Sequence, residues 1–250
     1  MSEGKNKKYD LVFSIGSSCA CSGALRSVRL QFLSFPFDWV KDGSLSNRVE
    51  IMENDFNDYF NKEDLFFTIK YEEDKLVYQN KKSGINFVHD FKTDKSFDEY
   101  YELNKEKYDR RAKRLLNMIK NSKNILAVYV QLPDDNTVLN SDVLINCQSR
   151  LQKKFPEQNI DLLVVQSDKN LCFPEMKIEN ISDNIRKLIF DYENIEQDKF
   201  GVNTKKLKYI IGNVVKLSGK NLTFKNRYFI FLHNVKMFVR KKFLNYEKHI

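Results

Sequence analysis

Glycine and proline are scarce in this chain, at 8 and 4 in 250 residues. A sandwich of many tight hairpins needs more of both, so that class is set aside. Cysteine is sparse too. Cys19, Cys21, Cys147 and Cys172 have neither the paired spacing of a zinc site nor the density of a disulfide scaffold. They read as reduced thiols in a cytoplasm. No window reaches the roughly 18 uninterrupted apolar residues of a spanning helix. The first eight residues are polar and lysine-rich, with no apolar stretch behind them, so no secretory leader is expected. No metal or cofactor motif is found, and neither is expected.

What is present suits a folded globule. Hydrophobic residues are 42% and charged residues 30%, enough to bury a core in one large domain or a domain with a small appendage. Residues 201–250 hold twelve Lys or Arg against one acid, Glu247, a net of +11 against +8 for the whole chain. The first two hundred residues therefore carry −3. This divides the chain into an α/β catalytic-type domain at 1–200 and a basic, aromatic, helical tail at 201–250. The tail's charge lies on no recognisable nucleic-acid motif, so no nucleic-acid partner is expected.

Tyr9 to Gly16 (YDLVFSIG) reads as a buried strand ending at a glycine. Ser17-Ser18-Cys19 falls at the turn, and Ala20 to Leu30 continues as a helix. Phe35 to Trp39 (FPFDW) is an extended segment or a turn, because proline disfavours a helix interior. Leu45 to Phe60 is expected to be helical, with Val49, Met52 and Phe56 at helical spacing. Leu65 to Tyr71 and Lys75 to Tyr78 read as paired strands, and Ile85 to Phe91 as another. Phe97 to Lys120 is the clearest helix. Asn124 to Leu132 (strand), Ser141 to Phe155 (helix) and Ile160 to Gln166 (strand) form a parallel crossover unit, which points to a three-layer α/β sheet. Asn180 to Tyr192 is a strand or a helix.

Chemistry is best argued at Cys19. A residue between a strand end and a helix start faces N–H groups with no partner inside the helix. The positive end of the helix dipole favours an anion there, which lowers a thiol pKa. The same N–H groups suit an oxyanion. Gly16, Ser17 and Ser18 are small enough to let a substrate approach the backbone, and Trp39 is grouped with them on the substrate side. The bland alternative is that Cys19 is a small buried hydrophobe in a tight turn. His89, framed by apolar residues in FVHDF, is the candidate base. His233 and His249 lie in the tail and are weaker choices. Asp90 would face away from His89 on a regular strand and could assist only at a strand end or bulge. Asp38 is an equal candidate for the third role.

The motifs YDLVFSIGSSCACSGALR, SFPFDW, FVHDF and KYDRRAKRLLNMI, in that order, resemble a bacterial family of uncharacterised proteins labelled papain-like cysteine peptidases. The resemblance covers roughly residues 9 to 170. It implies Cys19 as nucleophile, His89 as base and Asp90 or Asp38 as acidic partner. It also implies a papain-like fold as the alternative to the three-layer sheet. The function expected is a cysteine hydrolase, peptidase or amidase, or an acyl-type transferase.

Other classes stay open. A strand, a small-residue turn and a helix also resemble the SGNH hydrolases, with Ser17 or Ser18 as nucleophile. The Asp and His three residues apart that those enzymes carry near the C-terminus are missing. Arg110, Arg111 and Arg114 on one helix suit a phosphate or carboxylate; the competing reading is a solvated face. With them, the protein would be a membrane-peripheral transferase of surface-glycan assembly that holds a phosphorylated donor. The tail at 227–243 mixes bulky apolar residues with lysine and arginine, so it either lies on an anionic membrane or docks on the domain. A non-catalytic ligand-binding module is the last reading. Expected partners are a small-molecule, peptide or glycan substrate.

Overall fold

The computed structural model describes residues 7–193, 202–217 and 235. Apart from residue 235, the tail at 227–243 lies outside the described residues, as do His233 and His249. The chain opens with β1 (Lys8–Tyr9), β2 (Leu11–Gly16) and α1 (Cys19–Ser27), followed by α2 (Leu45–Glu53). Three strands come next, β3 (Leu65–Glu72), β4 (Lys75–Asn80) and β5 (Asn86–Lys92), and then α3 (Phe97–Lys120). β6 (Asn124–Val130), α4 (Ser141–Lys154) and β7 (Asn159–Ser167) form the crossover unit. β8 (Lys177–Ser182), β9 (Ile185–Phe190), α5 (Thr204–Val214) and β10 (Lys216–Leu217) complete the described elements.

The main sheet has the order β2-β6-β7-β9-β8, parallel except for the β8–β9 hairpin. The stretch from Asn180 to Tyr192, strand or helix by sequence, is therefore an antiparallel turn back along the sheet. β6 and β7 are continuous apolar runs because both their faces are covered. Leu11, Phe13 and Ile15 of β2, with Ile125, Ala127 and Tyr129 of β6, join one buried cluster containing Val49 and Met52 of α2, Leu115 of α3 and Leu151 of α4. Val12, Leu126, Val128 and Val130 point the other way, onto Ala24 and Leu25 of α1 and Leu207 and Ile211 of α5. Each fully buried Leu, Ile or Val contributes about 1.5–3 kcal/mol. Residues 202–217 belong to this body: α5 packs on α1, and β10 pairs with β1.

β3, β4 and β5 form a separate antiparallel sheet against α3. α3 starts at a capping box, in which Ser96 accepts from the Glu99 amide and Glu99 reaches back to the Ser96 amide. Helical spacing overruns at α2, which stops at Glu53 and not at Phe60. Asp55 and Phe56 take positive φ angles of 52° and 63°, which return Phe56 to the core through a turn. Among the described residues, no helix is long and apolar enough to cross a membrane.

Candidate functional site

Cys19 is the first residue of α1, placed there by the turn that ends β2. Ser18 is the N-cap, its Oγ accepting from the Ala20 amide at 3.2 Å. Ser17 donates from Oγ to the Val130 carbonyl at 2.9 Å, and its amide donates to the same carbonyl at 3.0 Å. Both serines are buried. Their hydroxyls are spent on holding the turn, so neither is placed as the nucleophile an SGNH enzyme would need.

The other thiols make a useful contrast. None of the four cysteines forms a disulfide, and Cys19 is partly exposed. Cys21 is fully buried, its Sγ donating to the Val128 carbonyl, and burial pushes its pKa up to about 12. Cys147 is buried in the opposite core and also raised by desolvation. Cys172 is exposed in a loop. Only Cys19 joins accessibility to the opening turn of a helix.

Cys19, Ser22 and Arg26 recur at helical spacing and so share one face of α1. That face meets the short 3-10 turn Pro36–Trp39, which proline opens with its preset φ. Ser22 Oγ lies 2.8 Å from the Asp38 carbonyl and 3.1 Å from the Cys19 carbonyl. The Arg26 guanidinium lies 5.7 Å from the Trp39 ring centre. His89 also meets the Trp39 ring edge-on, at 6.1 Å between centroids. Trp39 thus links the face of α1 that bears Cys19 to the strand that bears His89. His89 is solvent-exposed. The protein around its ring lowers its pKa from 6.5, an effect the Asp90 charge only partly opposes. A neutral imidazole near pH 7 can accept a proton.

The two acidic candidates are committed elsewhere. The pairing of β4 with β5 does lose register between Leu76 and Tyr78, opposite residues 88–90. Asp90 nevertheless turns inward, where Tyr108 donates to its Oδ2 at 2.6 Å and Lys107 donates to Oδ1. It fastens β5 to α3 and does not orient His89. Asp38 is fully buried; its Oδ2 accepts from Arg26 at 2.5 Å, Gln31 Nε2 at 2.8 Å and the Phe35 amide at 2.8 Å. Desolvation raises its pKa against the opposing Arg26 charge. Asp38→Ala is expected to cost about 2–3 kcal/mol in chemical denaturation, below the roughly 3–5 of a fully buried pair because Arg26 reaches solvent. Asp38→Asn, which keeps an acceptor for Phe35, should lose less than half of that.

The three arginines of α3 have different surroundings. Arg110 is exposed and pairs with Glu106 at 3.4 Å, and its charge and that of Arg111 both act on Arg114. Arg111 lies over Tyr108 at 5.6 Å with Nη1 buried and without a hydrogen bond. Arg114 donates to the Ser34 carbonyl at 2.8 Å, beside the Arg26–Asp38 pair.

Sequence reasoning missed Arg48. Its side chain is fully buried in α2, donating to the carbonyls of Ile15 (3.2 Å), Ser17 (3.0 Å) and Gly43 (3.1 Å), and to that of Asp42. It clamps the turn before Cys19 to the loop before α2. Gly16 makes room for it: φ is +139°, and an added Cβ would stand 2.7 Å from Arg48 Nε. A signal existed, since Arg48 falls at helical spacing among Leu45, Val49 and Met52, a charge on an apolar stripe.

Comparison with known proteins bears on the family of the chain. No solved structure matches the chain. "Uncharacterized protein R408" of Acanthamoeba polyphaga mimivirus is 25% identical over 177 residues, covering 64% of this chain and 73% of that protein. This relative is viral, so the bacterial origin in the expected resemblance is not supported by it. The family model described as "Putative papain-like cysteine peptidase (DUF1796)" matches residues 10–170, a span that includes Cys19, Asp38, His89 and α3. That span is more than half of the chain, and the protein belongs to this family.

Proposed function

We propose that the protein is a cysteine-dependent hydrolase of amide or ester bonds, carried on a three-layer α/β body. Cys19 is the nucleophile and His89 the base. The observation that carries the reading is the position of Cys19: partly exposed, first in α1, on the helix face that meets Trp39. The dipole at the start of α1 favours the thiolate and the oxyanion that follows its attack on a carbonyl. His89, kept neutral by its surroundings, takes the thiol proton and returns it to the leaving group. Asp38 and Arg26 serve as positioning residues, because they hold the turn that carries Trp39.

The test is the alkylation rate of Cys19 against pH, read by mass spectrometry of its peptide, in wild type and His89→Ala. Expected are an apparent pKa below the ordinary thiol value of about 8.5 and a rate at pH 7 at least tenfold lower in the variant. Cys21 should stay unlabelled in the native chain. A thiol of ordinary reactivity, indifferent to His89, would sink the reading. One observation favours a second reading, a transferase holding a phosphorylated donor. Arg114 has no carboxylate in an ion pair among the described residues, and it donates to the Ser34 carbonyl just before the 3-10 turn. Turnover that survives Cys19→Ser would select it.

A further inference from the structure

Two arginines from different helices converge on one loop residue near the Cys19 face of α1. Arg26 Nη2 of α1 donates to Ser34 Oγ at 3.1 Å, and Arg114 Nη1 of α3 donates to the Ser34 carbonyl at 2.8 Å. Arg111 precedes Arg114 by one turn of α3, and its guanidinium lies over the Tyr108 ring at 5.6 Å. Like charges gathered on one residue repel each other unless an anion stands nearby. Among the described residues, Asp38 is the one carboxylate in an ion pair with Arg26 or Arg114. It is fully buried, and its Oδ2 is already shared by Arg26, Gln31 and the Phe35 amide.

Donors are left over. Arg26 Nη1 and Arg114 Nε and Nη2 make no hydrogen bond with the described residues, and both side chains are only partly buried. Burial lowers the Arg114 pKa, and the charges of Arg110, Arg111 and Arg26 lower it further against Asp38. An incoming anion would offset that repulsion and engage the spare N–H groups as a fork. Geometry ties the place to the thiol. Arg26 stands two turns, roughly 10 Å, beyond Cys19 on the same face of α1. Trp39, 37% exposed, meets the Arg26 guanidinium at 5.7 Å and the His89 ring at 6.1 Å. A substrate lying along Trp39 with its reacting carbonyl at Cys19 would carry its other end to the two arginines.

We propose that Arg26 and Arg114 bind an anionic group of the substrate, a carboxylate or a phosphate, about two helical turns from the bond that Cys19 attacks. That the anion belongs to a substrate rests on the hydrolase reading; that the two arginines select an anion near Cys19 does not. The test is the labelling rate of Cys19 in the full chain, read by mass spectrometry of its peptide. The reagents are iodoacetamides whose N-substituent is hexanoate, hexyl or hexylammonium, arms long enough to span that distance. The hexanoate reagent is expected to react at least fivefold faster than the hexyl one, and the hexylammonium reagent more slowly than either. The preference should be lost at 1 M salt, where charges are screened within about 3 Å. Arg114→Gln should lower the hexanoate-to-hexyl ratio at least threefold, whereas Arg114→Lys, which keeps the charge, should retain most of it. Inorganic phosphate or glutarate should slow the hexanoate reagent alone, and the better competitor identifies the group. Equal hexanoate and hexyl rates in wild type, or a ratio unchanged in Arg114→Gln, would overturn the proposal. An anion preference at a thiol indifferent to His89 would keep the subsite and remove the hydrolase reading. A His89-dependent thiol without anion preference would do the reverse.

Discussion

Replacing Arg48 with alanine is expected to lower the unfolding free energy by about 3–5 kcal/mol, a large part of a domain's stability. The guanidinium is fully buried against the Phe37 ring at 5.2 Å and binds carbonyls from two separate loops. Alanine leaves those acceptors without donors, together with a cavity that water can only partly fill. Arg48→Lys should recover less than half of the loss, because one ammonium cannot reproduce a planar fork that reaches several carbonyls at once. Urea denaturation of the three proteins reads this directly. A cost under about 1 kcal/mol for alanine would mean that the turn before Cys19 stands without the clamp.

Cys19→Ala should do the opposite, abolishing turnover while leaving stability nearly untouched. The expected loss of kcat/KM on an activated ester or amide is on the order of 10³–10⁴, the range that separates a working nucleophile from residual binding and oxyanion effects. The midpoint of unfolding should stay close to wild type, because the side chain is only partly buried. Cys21→Ala is the mirror image: activity retained, with stability lowered by about 1–2 kcal/mol, since a fully buried thiol is removed. The acid limb of the rate profile should have its midpoint below the ordinary imidazole value of about 6.5, because burial lowers the His89 pKa. The sign for stability follows. The unfolded chain takes up this proton at higher pH than the folded one, so the contribution of His89 is complete above about 6.5 and is lost as pH falls toward the folded value. An acid limb above 6.5 would show an imidazole that is not desolvated in this way.

Much of the architecture was legible in consecutive residues. NILAVYV and IDLLVVQ are apolar without alternation, and a strand reads that way only when both its faces are covered; β6 and β7 are such strands. The turn at Ser17–Cys19 followed from a strand ending in glycine before small residues, and α1 begins there. Where the reading failed, long-range packing had overruled local period. Phe56 continues the spacing of Val49 and Met52, yet it reaches the core after two positive-φ residues have ended α2. Regular strand alternation already turned Asp90 away from His89, and its partners come from α3, 17 and 18 residues away.

The sequence by itself determined the order of strands and helices from β2 to β7, the two-sided burial of the central strands and the location of a thiol at a helix start. These depend on the period and polarity of residues next to one another. Only the tertiary structure decided that Trp39 lies between the Arg26 guanidinium and His89, that Asp38 bonds Arg26 and Asp90 bonds α3, and that Arg48 clamps the turn. A buried charge is satisfied by whichever donors or carbonyls packing delivers to it, and those come from segments far away along the chain.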